Sequence, residues 1–302
     1  MPTPHPRLAD HAVLLRRGSA IQIGSTPDRA LVIDDPPEGL FEFLATLDGH
    51  CSADTVAERA RHVPGLDWPR LHHVLRDHGL LAEPEPSRPL RAHVVAGGDW
   101  GLQVAELLLS AGATHVGLSL LADEPGLHRR AHLLSLRRRG RLFVRTQFQP
   151  QRHDNLIAII NTETAETDRA ITAACSRQDI PHLVVRPTGE GMVVGPLVVP
   201  GVGPCLNCLD VHARGIDPQW PSLLMQLSRI RLPVPELAAR WAAGTAVTEL
   251  IGFRHSGHSS LLGRTATVAA PHWTPQWRTW RAHPGCLCHW DGVDVAGLMI
   301  AA

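Results

Sequence analysis

Lysine and tyrosine are missing from this chain: all 29 cationic side chains across its 302 residues are arginine. No catalytic lysine is therefore available, and arginine stays protonated and offers a planar fork instead of a compact ammonium. Charge of one sign is not in excess either, because 29 acidic residues balance the arginines. That balance argues against a strongly basic nucleic-acid binder. No apolar run reaches the ~20 residues needed to cross a bilayer. Met1 to Ala12 is rich in proline and histidine and carries no apolar signal core, which makes the cytoplasm the expected location. Neither a Gly-x-Ser-x-Gly elbow nor a His-Glu-x-x-His pair occurs. What is present is an ordinary hydrophobic fraction of 44%, enough for a packed core, in a length that suggests two domains.

Six cysteines occur, and four of them form two close pairs, Cys205-x-x-Cys208 and Cys286-x-Cys288. In a reducing compartment such clusters read as metal ligands instead of disulfides. Four thiolates complete a tetrahedral shell around one structural zinc ion and close it to substrate. His283 and His289 flank the second pair and are alternatives for one thiolate. Cys51 and Cys175 are isolated and read as inert, Cys175 as a small buried apolar side chain. The 19 histidines are scattered; His72-His73 and His255-x-x-His258 read as surface or loop residues.

Residues 1–82 read as a small winged-helix-like α+β domain. Three short β-type runs, Ala12–Leu15, Ala20–Ile23 and Ala30–Ile33, are separated by turns at Gly18 and Gly24 to Asp28. Three helices follow. The first carries Leu40, Phe43, Leu44 and Leu47 at helical spacing; Ser52 and Asp67 cap the next two. Residues 83–90, with Pro84, Pro86 and Pro89, form a stiff linker. This module resembles the PqqD-like peptide recognition element of ribosomal peptide biosynthesis. The resemblance implies that a leader peptide adds as a strand beside Leu31, Val32, Ile33 and Asp34 and packs on Leu71, Val74 and Leu75 of the third helix. Backbone pairing would give affinity and side-chain pockets specificity. A DNA-binding winged helix is the other reading of this module, and its third helix is not basic enough to favour it.

Residues 91–302 read as an α/β domain with a mostly parallel, Rossmann-like sheet and a zinc knot. Ala92–Ala96 is a buried strand that runs into Gly97-Gly98-Asp99-Trp100-Gly101, a helix, and the strand His115–Leu121. In that turn a nucleotide phosphate can sit on a helix N-terminus. The fingerprint is altered: Ala96 replaces its first glycine, leaving Gly98 and Gly101, and Trp100 places a large side chain in the loop. Asn155–Ile160 is a further strand leading to Asn161-Thr162-Glu163-Thr164, and His182–Val185 is another. Met192–Val199 reads as a strand pair or an extended strand, followed by Pro204-Cys205.

The order of nucleotide-type β-loop-α, an Asn-Thr-Glu turn, Pro-Cys-x-x-Cys and a late cysteine pair resembles ThiF and MoeB, adenylating relatives of the ubiquitin-activating enzymes. Gly195 to Asp210, Asp217-Pro218-Gln219-Trp220-Pro221 and His283 to His289 resemble the ThiF-like partner proteins of azole and azoline (bacteriocin-type) peptide biosynthesis. Adenylation in that family implies a ribose carboxylate, phosphate-binding Arg and Lys, and a catalytic Asp holding magnesium. Here the ribose position falls near Leu120, with Asp123 one register away; Arg129 and Arg130 are the nearest phosphate ligands; lysine is absent; and Glu163 takes the place of the Asp. These departures imply a leader-peptide-binding scaffold with a degenerate ATP site, serving a separate YcaO-type cyclodehydratase. The alternative is an active adenylyltransferase using ATP and magnesium on a peptide or carrier-protein C-terminus. The resemblance further implies a homodimer, and the apolar run Val293 to Ala302 is suited to packing on a partner or on itself.

Overall fold

The structure, a computed structural model, describes residues 5–26, 30–82, 89–121, 125–138, 140–145, 147–149, 156–286 and 288. The chain divides into two compact units, 1–87 and 88–302.

In the first unit, β1 (Leu14–Arg17), β2 (Ala20–Ile23) and β3 (Leu31–Ile33) form an antiparallel sheet in the order β1-β2-β3. Gly18, at φ +61°, supplies the left-handed conformation that the two-residue turn between Arg17 and Ala20 requires. β1 begins two residues later than the apolar run that suggested it, because Ala12 closes a turn onto the Ala9 carbonyl. Three helices follow: α1 (Leu40–Ala45), α2 (Ala53–Ala60) and α3 (Trp68–Asp77). Ser52 Oγ accepts from the Thr55 amide and Asp67 from the Arg70 amide, so both expected N-caps are in place. Their buried faces, with Ile23, Leu44, Val56, Leu75 and Leu80, make one core.

The second unit is built on an eight-stranded sheet. Its order is β11-β10-β9-β8-β7-β4-β5-β6. The strands are β4 (Arg91–Ala96), β5 (His115–Leu120), β6 (Leu142–Arg145), β7 (Leu156–Asn161), β8 (His182–Pro187), β9 (Gly191–Val198), β10 (Arg264–Ala269) and β11 (Gln276–Thr279). Five of them, β6 to β8 by way of β5, β4 and β7, run parallel; β9, β10 and β11 turn antiparallel. Met192–Val198 therefore belongs to one strand, β9, buried along its whole length.

Five of the unit's helices are α4 (Asp99–Ser110), α5 (Pro125–Arg137), α6 (Arg169–Arg177), α7 (Leu206–Ile216) and α8 (Trp220–Leu227). The sixth, α9 (Glu236–Ser256), buries Ala238, Ala239, Ala242, Ala243 and Ala246. Those small side chains let α9 lie close against α4 and β9. Strand order reverses at β4, with β5 and β6 on one side and β7 on the other. That reversal opens a crevice at the carboxyl ends of β4 and β7, where open α/β sheets hold their ligands. None of the described helices is long and apolar enough to cross a membrane.

Candidate functional site

Two places in the second unit gather chemistry-bearing side chains. The first is the crevice at the strand reversal, a cavity of about 220 Å³ lined by Gly97, Thr162, Glu163, Asp168, Ser228 and Arg231 among others. Its floor is the close approach of two turns. A Cβ on Gly97 would lie 2.7 Å from the Glu163 amide nitrogen, and one on Gly98 would lie 1.6 Å from Glu163 Oε1. The glycines thus make room for the Thr162-Glu163 turn and for the Glu163 carboxylate. Gly98 is the N-cap of α4 and contributes no side-chain cap, so the carboxylate rests at the end of a helix where anions are favoured. Arg231 Nη1 stands 4.0 Å from Glu163 Oε2. The Leu232 amide donates to the Glu163 carbonyl at 2.8 Å, which fixes the turn against the segment after α8.

The other residues expected around a nucleotide are dispersed. Arg130 is engaged by Asp99, Nη2 to Oδ1 at 2.6 Å, in the first turn of α4. Arg129 is exposed on α5, and Gly101 is buried inside the first turn of α4. Asp123 lies outside the described residues. Trp100 corrects the sequence reading: its side chain does not fill the loop but turns into the core, 4% exposed.

The second place is the cysteine knot. Cys205 is the N-cap of α7, and the Cys208 amide donates to its carbonyl at 3.0 Å. The Cys286 amide closes a turn onto the His283 carbonyl at 2.9 Å. Together these turns bring all four expected thiols into one group, with sulfurs within 4.8 Å of one another. Neighbouring sulfurs stand 4.0 Å (Cys205–Cys208), 3.7 Å (Cys205–Cys286) and 3.4 Å (Cys208–Cys288) apart. A tetrahedral zinc–thiolate shell has sulfur–sulfur edges of about 3.8 Å, from metal–sulfur bonds of about 2.3 Å. The donor set fits such an ion, and the separations are far too long for disulfides.

Two of the four thiols, Cys205 and Cys288, resist ionisation. Burial pushes Cys205 up to about 11, and burial together with the neighbouring sulfurs raises Cys288. Cys286 moves the other way: burial raises it, but the Cys288 amide, the Asn207 side chain and adjacent thiols outweigh burial. A bound dication would favour the thiolate form of its ligands and oppose the upward shifts of Cys205 and Cys288. Asn207 Nδ2 donates to Cys286 Sγ at 3.1 Å and orients it. His283 uses its Nδ1 to accept the Gly285 amide and stacks edge-on with His212 at 4.7 Å, so it braces the knot. His289 lies outside the described residues.

One group escaped the sequence reading. Arg169 donates to both oxygens of Asp210 at 2.8 Å and to Glu166 at 3.1 Å; Arg186 reaches Glu166 at 2.9 Å; and Trp220 Nε1 donates to Asp210 at 3.0 Å. These five residues tie α6, α7, α8 and β8 together. No spacing in the sequence foretells contacts assembled from four separate segments.

In the first unit, β3 has a paired neighbour on one side only, β2, among the described residues. Leu31, Val32, Ile33, Leu71 and Val74 are half-buried and Asp34 is exposed. Leu75 is wholly buried, so it anchors α3 in the core and does not face a ligand.

The second unit is an open, mostly parallel sheet with a glycine turn at its strand reversal. Solved structures share the fold. Escherichia coli MccB matches with a TM-score of 0.62 at 14% identity, over 94% of this chain and 96% of that one. The same protein solved with ATP matches with 0.61 at 14%, over 93% and 98%. The heterocyclase TruD matches with 0.61 at 16%, over 94% of this chain but 42% of its own. At these identities the likeness establishes the fold, and that fold agrees with the ThiF- and MoeB-type plan expected from the sequence. No protein-family profile matches the chain, and no curated protein sequence matches it.

Proposed function

We propose that this chain is a non-catalytic partner in ribosomal peptide biosynthesis. Its first unit, acting as a PqqD-like module, captures the leader segment of a precursor peptide by strand addition at β3. Its ThiF-like unit, held by a structural zinc on Cys205, Cys208, Cys286 and Cys288, presents that precursor to a separate YcaO-type cyclodehydratase. Tethering raises the effective concentration of the segment to be modified, so the scaffold assists without chemistry of its own. The observation that carries the non-catalytic reading is the seat of Glu163. Its carboxylate occupies the glycine turn at the N-terminus of α4, where a nucleotide phosphate would need to approach. The like charge of a phosphate would be repelled there, and no lysine is available to offset it. The peptide side of the reading is supported by the fold's occurrence in MccB, a microcin C7 biosynthetic enzyme solved with N-formylated MccA, and in the heterocyclase TruD.

An active adenylyltransferase is the second reading. It is favoured by the crevice at the strand reversal with Arg231 beside it, and by a neighbour of this fold solved with ATP. Calorimetric titration of the zinc-loaded protein with magnesium-ATP separates the two. The scaffold reading expects no saturable heat and no peptide-dependent pyrophosphate exchange, alongside micromolar binding of the leader peptide. Pyrophosphate exchange would overturn it.

A further inference from the structure

The molecule holds a larger cavity that none of the roles above uses. It measures about 310 Å³ and shares no lining residue with the crevice at Glu163. It lies between α7, Trp220 at the start of α8, and the face formed by β8 to β11. Its walls include Val193, Leu209 and Ile216, and its outer rim is Arg278 and Trp280. Such a cavity, largely apolar with a few convergent polar groups, has the character of a ligand site.

Its charge is unbalanced. The lining contains three guanidinium groups, of Arg169, Arg186 and Arg278, against the two carboxylates of Glu166 and Asp210. Those carboxylates are taken by Arg169 and Arg186. Arg278 has no carboxylate partner among the described residues; its guanidinium lies over the Trp280 ring, 3.9 Å from the centroid.

The rim is also an open sheet edge. β11 ends the eight-stranded order, pairs only with β10 among the described residues, and exposes all four of its residues. Trp280 follows β11 directly and extends the ladder by one position, its amide donating to the Gly263 carbonyl at 2.8 Å, so Arg278 and Trp280, two residues apart, share the face that lines the cavity. Thr265, opposite Arg278 across the ladder, accepts the Trp280 indole at 3.2 Å and holds that ring in place.

We propose that β11 is a second peptide-docking edge, which takes an extended segment bearing an acidic side chain two residues from an apolar one. The backbone pairs along β11, the carboxylate meets Arg278, and the apolar side chain enters the cavity beside Trp220. Recognition of this kind draws affinity from main-chain bonds and specificity from alternate side chains. It stands whether or not the crevice at Glu163 binds ATP, and it does not use the edge of β3.

The test uses the intact zinc-loaded protein and a heptapeptide, acetylated and amidated, of sequence Thr-Leu-Thr-Glu-Thr-Leu-Thr. Calorimetry should give saturable binding, weakened at least tenfold when the glutamate becomes lysine or when alternate backbone nitrogens are methylated. Arg278→Glu should abolish binding of the glutamate peptide and favour the lysine peptide, with zinc content and circular dichroism unchanged. Binding that ignores Arg278→Glu would place the peptide elsewhere and overturn the assignment. Absence of binding up to millimolar peptide would overturn it too, as would a concentration-dependent dimer that Arg278→Glu dissolves, since that would make the edge a contact between two copies of the chain.

Discussion

Glu163 and Gly98 are fitted to each other: the carboxylate oxygen of one lies 1.6 Å from where a Cβ on the other would stand. Gly97 is fitted to the same turn through backbone, with the Glu163 amide nitrogen 2.7 Å and the Thr162 carbonyl carbon 3.2 Å from its missing Cβ. The two glycines therefore differ in what a methyl group would displace. Gly98→Ala meets the free end of a side chain that can rotate away, while Gly97→Ala meets main chain fixed by the Leu232 hydrogen bond. Gly97→Ala should cost about 1–3 kcal/mol, in the range of overpacking, and Gly98→Ala less than about 1 kcal/mol. Urea unfolding of the two variants measures the difference. Equal costs would mean that the Glu163 side chain is as immovable as the backbone.

The cysteine knot makes a prediction about metal content. Cys208→Ser or Cys286→Ser should lower bound zinc from one per chain to near zero and uncouple the second unit's unfolding transition, because metal binding energy is folding energy in such sites. Cys51→Ser and Cys175→Ser should keep the zinc, since neither thiol belongs to the group of four. Atomic absorption together with calorimetric melting distinguishes the two sets. A Cys208→Ser protein that melts like untreated wild type, with a wild type whose melting chelation leaves unchanged, would show that the thiols merely pack.

Much of this architecture was legible in the sequence, for identifiable reasons. The parallel strands β4, β5, β7 and β8 are buried on both faces and read as continuous apolar runs. The caps Ser52 and Asp67 and the spacing of the four cysteines carry local chemistry that needs no tertiary context. β6 and β11 escaped because exposed strands such as Leu142–Arg145 and Gln276–Thr279 bury too little to leave a period. Trp100 was misread because a helix's first turn decides which way a side chain points, and that direction depends on the sheet beneath it. Arg169 and Asp210 stand 41 residues apart, and Glu163 meets Gly98 across two strands, so neither pair leaves a trace in local pattern.

Two buried histidines predict how stability responds to acid. Burial holds His182 down at about 4, and burial with the nearby charges of Arg145 and His115 holds His93 at about 4, against 6.5 for an ordinary histidine. The unfolded chain therefore binds protons that the folded chain refuses. Stability is unaffected above about pH 6.5 and falls as pH drops from there toward 4, by about 1.4 kcal/mol per pH unit for each histidine. By pH 5 the loss should be about 2 kcal/mol apiece. His182→Asn preserves a donor to the Ile180 carbonyl, and His93→Gln preserves a polar partner for Ser119; either should flatten the slope between pH 6.5 and 5. Acid also protonates zinc thiolates, so the comparison of each variant with wild type, not the wild-type curve alone, decides. An unchanged slope in both variants would mean that these histidines are charged in the folded protein.

The Arg169–Asp210 pair is the last test, and it asks what the buried network is worth. Both side chains are mostly shielded, 24% and 14% exposed, and they are joined by two hydrogen bonds of 2.8 Å. Removing one partner leaves the other charge facing a low-dielectric wall, which costs about 3–5 kcal/mol for a fully buried pair and less where water reaches the arginine. Arg169→Met should therefore cost about 3 kcal/mol, leaving Asp210 with only the Trp220 indole and Glu166 with Arg186. Asp210→Leu should cost a similar amount by leaving the Arg169 guanidinium with only Glu166 and the Thr167 carbonyl. Combining the two removes the charges together, and the double variant should lose clearly less than the sum, with a coupling of at least about 1.5 kcal/mol. Strict additivity in urea unfolding would show that the two side chains act separately, and that α7 is held to the sheet by the apolar contacts of Leu206 and by the cysteine knot.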